Sequence, residues 1–344
     1  MPKKASHQHK RISPFSQIIS AIQPAHIVSF ATFLGVLLVW WAWQSTVTGQ
    51  VYRWSAPVSK TDEAIAVEAT PSPTPYPRLK TGAQEPPYLT AQAAIALDSV
   101  SGAIFYAKNE RMQFWPASTT KLMTALVALE LYDPDDVITV RNPLTEGSIM
   151  GLVEGEQITV ENLLYGLLIH SANDAAYALA RQHTEGVSGF VEDMNDKAVE
   201  IGLENTHFFN PAGFDNEKQF TTVLDLSRLT RTAMQNRTIL HMVGIPAITV
   251  SDSTFTHFHE LKNVNQLLGT VPGVAGVKTG WTENAKENLI NLTKRDGQSV
   301  ITIVLGSNDR FGETVQLTEW VFNNTIWDEN ALSSSPAPQT SFAE

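Results

Sequence analysis

The chain contains no cysteine among its 344 residues. That excludes a disulfide framework, a Cys-ligated zinc, an iron–sulfur cluster, a thiol nucleophile and a lipid-modified cysteine. It also suits export, since nothing can be mis-oxidised outside a cell. Charge is sparse, at 17% of residues, and unbalanced: 24 bases against 35 acids, a net charge of −11. Residues 1–24 hold Lys3, Lys4, Lys10 and Arg11 and no acid. That tip is +4, and the rest of the chain is 20 − 35 = −15. A nucleic-acid binder would carry a basic stripe on its folded part, so no nucleic-acid partner is expected. Apolar residues are plentiful, 43% of the chain, enough for a substantial core. The length allows one large domain or two ordinary ones.

One apolar run is long. Residues 27–43 read IVSFATFLGVLLVWWAW without a charge, and with Pro24, Ala25 and His26 the run reaches spanning length. Trp40, Trp41 and Trp43 close it where an interfacial aromatic belt belongs. The preceding bases place the N-terminus in the cytoplasm and the rest outside. A cleaved signal peptide is the rival reading, but the nearest small-x-small site, Ala64-Ile65-Ala66, lies far past Trp43. The expected organisation is therefore a cytoplasmic tip (1–24), a transmembrane helix (25–44) and a Pro-rich extracytoplasmic linker (45–87). A globular domain (88–327) and a loose Ser/Pro/Ala-rich tail (328–344) follow.

Within 88–327, AAIALD (93–98) and AIFYAK (103–108) predict a hairpin. Helices are expected over 118–131, over 162–181 with a break in the middle, over 225–235 and over 313–322. Strands are expected at 274–278, 287–293 and 299–305. Helices placed between early and late strands point to an α/β domain with an antiparallel sheet.

Three short motifs carry chemistry. In Ser118-Thr119-Thr120-Lys121 the serine and lysine share a helix face. A buried lysine amine loses its preference for charge and can take the serine proton. Ser171-Ala172-Asn173 places a hydroxyl and an amide where a helix breaks. Its bland reading is a helix cap. Lys278-Thr279-Gly280 offers a cation, a hydroxyl and a residue that lets a ligand approach the backbone. A second Lys-Thr-Gly at 80–82 lies in the Pro-rich stretch, before Ser118, and is set aside. Ser171 comes 53 positions after Ser118, and Lys278 a further 107 on.

That order of motifs resembles the penicillin-recognising serine enzymes. The wider context is similar to the D-alanyl-D-alanine carboxypeptidases, the low-molecular-mass penicillin-binding proteins of bacterial cell walls. The matching stretches include WPASTTKLMTALVALE (115–130), EGEQITVENLLYGLLIHSANDAAYALA (154–180), NTHFFNPAGF (205–214) and GVAGVKTGWT (273–282). The resemblance implies a β-lactamase/transpeptidase-like fold, with an antiparallel sheet flanked by helices and a helical subdomain. It implies Ser118 as the acylated nucleophile, Lys121 as its base and Ser171 as proton shuttle. Asn173 would bind the substrate backbone, and Lys278 and Thr279 a terminal carboxylate. The backbone N–H groups of Ser118 and of Trp281, the residue after the Lys-Thr-Gly, would form the oxyanion hole, with Gly280 letting the substrate approach the backbone. No metal or other cofactor is implied. The partners implied are peptidoglycan stem peptides, β-lactams as covalent inhibitors, and the cytoplasmic membrane through 25–44.

Three departures stand out. The family commonly continues Lys-Thr-Gly with Ala-Gly further on, whereas here Ala285 precedes Lys286 and Glu287. Too few residues follow Phe322 for a C-terminal β-rich domain. Anchoring is expected at the N-terminus rather than through a C-terminal amphipathic helix. Competing readings are a DD-endopeptidase, a class A-like β-lactamase with Glu200 or Glu204 in play, and a slow-turnover wall-peptide sensor. A metal site at His257-Phe258-His259-Glu260 is weaker than a plain rim strand, because no third ligand lies nearby in sequence. His170, beside Ser171, reads as a cleft-lining or packing residue, since Lys121 already fills the base role.

Overall fold

The computed structural model describes residues 77–327. The expected tip, span, most of the linker and the tail lie outside the described residues. Among the described residues no helix is long and apolar enough to cross a membrane.

The centre is a five-stranded antiparallel sheet in the order β3-β2-β10-β9-β8. Its strands are β2 (Ala93–Asp98), β3 (Ile104–Lys108), β8 (Val274–Thr282), β9 (Lys286–Arg295) and β10 (Gln298–Ser307). In β2, Ala93, Ile95 and Leu97 join one apolar cluster while Ala94 and Ala96 join another. β10 alternates in the same way, with Ile301, Ile303 and Leu305 on one face and Val300 and Val304 on the other. The sheet is thus covered on both sides, which makes these strands near-continuous apolar runs rather than alternating ones. A fully buried Ile or Leu here is worth about 1.5–3 kcal/mol.

One face is covered by the C-terminal helix α7 (Arg310–Asn324), through Leu317 and Val321. The other faces the helical part: α1 (Lys121–Leu131), α2 (Val160–Leu168), α3 (Asn173–Arg181), α4 (Gly186–Glu200), α5 (Val223–Ala233) and α6 (Arg237–Val243). In α1 every residue from Lys121 to Ala128 is buried, as a helix apolar on all sides should be.

The expected elements are present, with informative differences. Ser118 sits in a 3-10 turn, Ala117–Thr120, that feeds α1. The break in 162–181 falls at residues 169–172, so that α3 begins at Asn173. Helix α4 was not expected. Its buried stripe is narrow, Phe190, Met194 and Ala198 with Gly189, and it is surrounded by acids. Three small ladders were also unforeseen: β4 (Val137–Thr139) with β5 (Gln157–Thr159), β6 (Ala247–Ser251) with β7 (Phe258–Lys262), and β1 (Arg78–Leu79) with β11 (Thr325–Ile326). The last pair means that residues 78–87, read as linker, pack on the domain. Trp320 Nε1 donates to Gln84 O at 2.8 Å, and Gln84 N donates to Asn324 Oδ1 at 2.8 Å. The Lys80-Thr81-Gly82 triplet lies in the turn after β1.

Candidate active site

The three motifs, far apart in sequence, line one cleft of about 420 Å³. Ser118, Ser171, Asn173, Thr279, Gly280 and Trp281 all contribute. Two of them arrive by the same backbone device. The backbone before Ser118 is turned by Ala117 at φ +49, a left-handed conformation that L-residues adopt at a cost. Asn288 Nδ2 donates to Trp115 O and Pro116 O at 2.9 and 3.2 Å, tying this turn to β9. Ser171 is likewise left-handed, at φ +62, which ends the α2 segment and swings its hydroxyl into the cleft.

Lys121 has no exposed surface. Its Nζ lies 2.9 Å from Ser118 Oγ, 2.7 Å from Asn173 Oδ1 and 2.6 Å from Ala212 O. Burial, then the nearby Lys278 charge, pulls its pKa well below the usual lysine value, while Asp174 opposes the shift. A neutral amine has two N–H donors and one lone pair. The two carbonyl-type oxygens can take the donors and leave the lone pair for the Ser118 hydroxyl.

Lys278, also buried, donates from Nζ to Ser171 Oγ at 2.9 Å and to Thr279 O at 3.2 Å. Burial and the Arg310 charge lower its pKa to about 7. Among the described residues β8 is an edge strand of the sheet, a template to which an extended peptide can add. Trp281, 62% exposed, lines the cleft at the end of β8.

Two glycines sit at close approaches. A Cβ on Gly280 would lie 3.1 Å from both Pro116 O and Ser118 N, a tight contact that a few tenths of an ångström of movement must relieve, so glycine lets β8 pass close to the nucleophile. A Cβ on Gly213, at φ +92, would lie 1.9 Å from Ala117 O. Gly213 belongs to a turn held by Asn210, whose Oδ1 accepts from the N–H groups of Ala212, Gly213 and Phe214. That turn presents Ala212 O to Lys121.

Sequence reasoning missed three participants. Arg310, the first residue of α7, lines the cleft and donates from Nη1 to Gly280 O at 2.8 Å, while its Nε is buried without a partner. No local motif marks it. Asn210, within NTHFFNPAGF, carries no signal of its role in its neighbours. Asp174 stands next to Asn173, and its carboxylate accepts from the N–H groups of Met150, Gly151 and Leu152.

Other expectations resolve as follows. The β8–β9 hairpin closes at 282–286, with Lys286 at φ +54, so its departure from the family pattern leaves the turn intact. Glu204 pairs with Arg111 at 3.6 Å and Glu200 with Lys197 at 2.9 Å. Neither lines the cleft. His170 Nδ1 approaches Lys262 O at 3.4 Å and takes no part in the cleft lining. Phe258–Lys262 is a strand at the domain rim, but His259 points inward rather than to solvent. Among the described residues no three His, Cys, Asp or Glu side chains cluster as metal ligands.

A sheet with helices on both faces carries at its edge a serine beside a buried lysine, an arrangement suited to acyl transfer. Comparison with known proteins gives the family. The profile of the D-alanyl-D-alanine carboxypeptidases matches residues 80–309, and the chain belongs to that family, as its motifs imply. It is 33% identical over 236 residues to the D-alanyl-D-alanine carboxypeptidase DacF of Bacillus subtilis, covering 67% of this chain and 60% of that protein. It therefore spans about 60% of the length of that relative. It is 29% identical over 266 residues to a D-alanyl-D-alanine endopeptidase of Pseudomonas aeruginosa, covering 75% of this chain and 84% of that one. Among solved structures, the Streptomyces K15 DD-transpeptidase superposes with a TM-score of 0.65 at 32% identity, over 70% of this chain and all of that one.

Proposed function

We propose that the protein is a serine D-alanyl-D-alanine carboxypeptidase that removes the terminal D-alanine from peptidoglycan stem pentapeptides. One observation carries the reading: a fully buried lysine amine 2.9 Å from the Ser118 hydroxyl, with its other polar neighbours all acceptors. The stem peptide adds along β8, its terminal carboxylate held by Lys278, Thr279 and Arg310 and its backbone by Asn173. Ser118 Oγ attacks the penultimate carbonyl carbon as its proton passes to Lys121 Nζ. The oxyanion is met by the N–H groups of Ser118 and Trp281. The C–N bond breaks, the departing amine takes a proton through Ser171, and an ester remains on Ser118. Water then attacks the ester and regenerates the serine. A β-lactam follows the same course as far as the ester.

Membrane attachment through residues 25–44, with the domain held outside by the linker, completes the proposal. A second reading is hydrolysis of D-alanyl cross-links, where the leaving group is a side-chain amine. The chemistry at Ser118 is the same, and the Pseudomonas relative carries an endopeptidase name.

The test uses the full chain beside its Ser118→Ala variant, incubated with diacetyl-Lys-D-Ala-D-Ala while free D-alanine is followed. Ser118-dependent release establishes the carboxypeptidase. No release, but fluorescent penicillin attached to Ser118, turns the reading to an endopeptidase or a slow binding protein. The absence of both release and labelling overturns it.

A further inference from the structure

Segment 147–153 forms one wall of the cleft, contributing Gly147 and Ser148 to its lining. It is stitched to the Ser171–Asp174 turn from one side. Asn173 N donates to Ser148 O at 2.7 Å, Ser148 Oγ donates to His170 O at 2.8 Å, and three N–H groups converge on Asp174. The segment is held from a second side by a histidine that the reaction does not use.

His259, on β7, is 5% exposed. Its Nδ1 lies 3.0 Å from Met150 O and its Nε2 2.7 Å from Oε1 of Glu156, itself a buried side chain. The other oxygen of Glu156 accepts from Val153 N at 3.0 Å. Both ring nitrogens therefore face acceptors. A neutral imidazole has one N–H and would set a lone pair against an oxygen, whereas the imidazolium satisfies both contacts. The charged groups facing the ring are Glu156, from the segment entering β5, and Asp174, from α3. β6 places the apolar Val250 opposite it, and Phe258, Glu260 and Lys262 lie on the exposed face of β7. His257, outside the strand, is bonded to Asp252 and Thr256. The Glu156 hydrogen bond raises the His259 pKa, and burial opposes it.

We propose that His259 is a positioning residue for the reaction. Its imidazolium, paired with Glu156 and bonded to Met150 O, clamps segment 147–153 against Asp174 and so sets the cleft wall beside Ser171 and Asn173. The inference rests on the reading of this cleft as the reaction site. Its sign follows from the raised pKa. The clamp is complete below the ordinary histidine value and is lost as pH rises through the raised folded-state value of His259.

The full chain, His259→Gln and Glu156→Gln are compared in two ways. Amide hydrogen exchange is followed at Met150, Gly151 and Leu152 from pH 6 to 9.5, relative to a sheet amide such as that of Ile303. Acylation by fluorescent penicillin is followed over the same range. In the wild type the three amides lose protection relative to Ile303 as pH rises across this range. In both variants they are already open at pH 7, and acylation falls about 10- to 100-fold, the scale of a displacement near 1 Å. Equal protection in the variants and the wild type overturns the clamp. Opened amides with acylation unchanged overturn the positioning role, as does a lowered melting temperature with neither readout moved. If His259→Gln does not fold, Glu156→Gln and the wild-type exchange profile decide. If the wild type neither labels nor releases D-alanine, the functional reading fails, while exchange still decides the clamp.

Discussion

Lys278 Nζ lies 2.9 Å from Ser171 Oγ, joining residues 107 positions apart. The contact brings the second and third motifs together and sets a buried cation near Lys121. Burial, then the Lys278 charge, makes a charge on Lys121 costly, and burial with the Arg310 charge does the same to Lys278. Lys121 responds with a strongly lowered pKa, and Lys278 carries one of about 7.

A bell-shaped pH dependence of kcat/KM for D-alanine release follows. Lys121 must be neutral to act as base, so activity is lost as pH falls through its lowered pKa. Lys278 must be protonated to hold a carboxylate, so activity of the free enzyme declines as pH rises through about 7. Bound carboxylate favours the charged form, so the alkaline limb of kcat lies higher than that of kcat/KM. Steady-state rates from pH 5 to 10 check both limbs. A kcat/KM alkaline limb close to 10 would remove the assignment.

Lys121→Arg replaces the base with a permanent cation. Acylation by penicillin is expected to fall by about 10²–10⁴, the usual contribution of a positioned general base. Stopped-flow labelling measures it, and circular dichroism shows that the fold is kept.

Arg310→Leu acts on binding and on Lys278 together. Loss of the guanidinium weakens the carboxylate contact, raising KM more than it lowers kcat. It also removes the charge that depresses Lys278, so the alkaline limb moves upward from about 7. A KM effect without that shift would mean that the two cations are not coupled.

Gly213→Ala tests the close approach of the 210–214 turn to Ala117. The new Cβ would meet a backbone oxygen, and the φ of +92 adds strain of about 1–3 kcal/mol. Thermal unfolding is expected to move down, and acylation with it, because Ala212 O leaves Lys121.

Removal of residues 1–87 rather than 1–76 tests the domain start. The shorter form lacks the β1–β11 ladder and the Gln84 and Lys80 bonds to residues 320–324. Each hydrogen bond is worth about 0.5–1.5 kcal/mol, so the chain begun at Tyr88 should melt at the lower temperature. Equal melting temperatures would return 78–87 to the linker.

Much was legible because it is local. The hairpin at 93–108, the apolar strands at 286–307 and the helices at 121–131 and 223–233 announce themselves by alternation, apolar runs and breakers. Serine and lysine three apart, followed at a distance by Ser-x-Asn and Lys-Thr-Gly, name the chemistry by residue type alone. Helix α4 escaped because its buried stripe is only Phe190, Met194 and Ala198 wide. The β1–β11 ladder escaped because two-residue strands carry no period.

What the sequence determined by itself is the inventory: which groups can attack, accept a proton and hold a carboxylate, and the elements that bear them. What tertiary structure decided is their state. Lys121 is a base only because α1 buries it and because Asn173 and Ala212 supply acceptors from 52 and 91 positions away. Arg310 joins the site only because α7 starts at the end of β10, over the Gly280 carbonyl. His259 turns inward only because Glu156 and Met150 face it across the fold. Burial and long-range pairing set the free energy of a charge, and neither is written in the residues next to it.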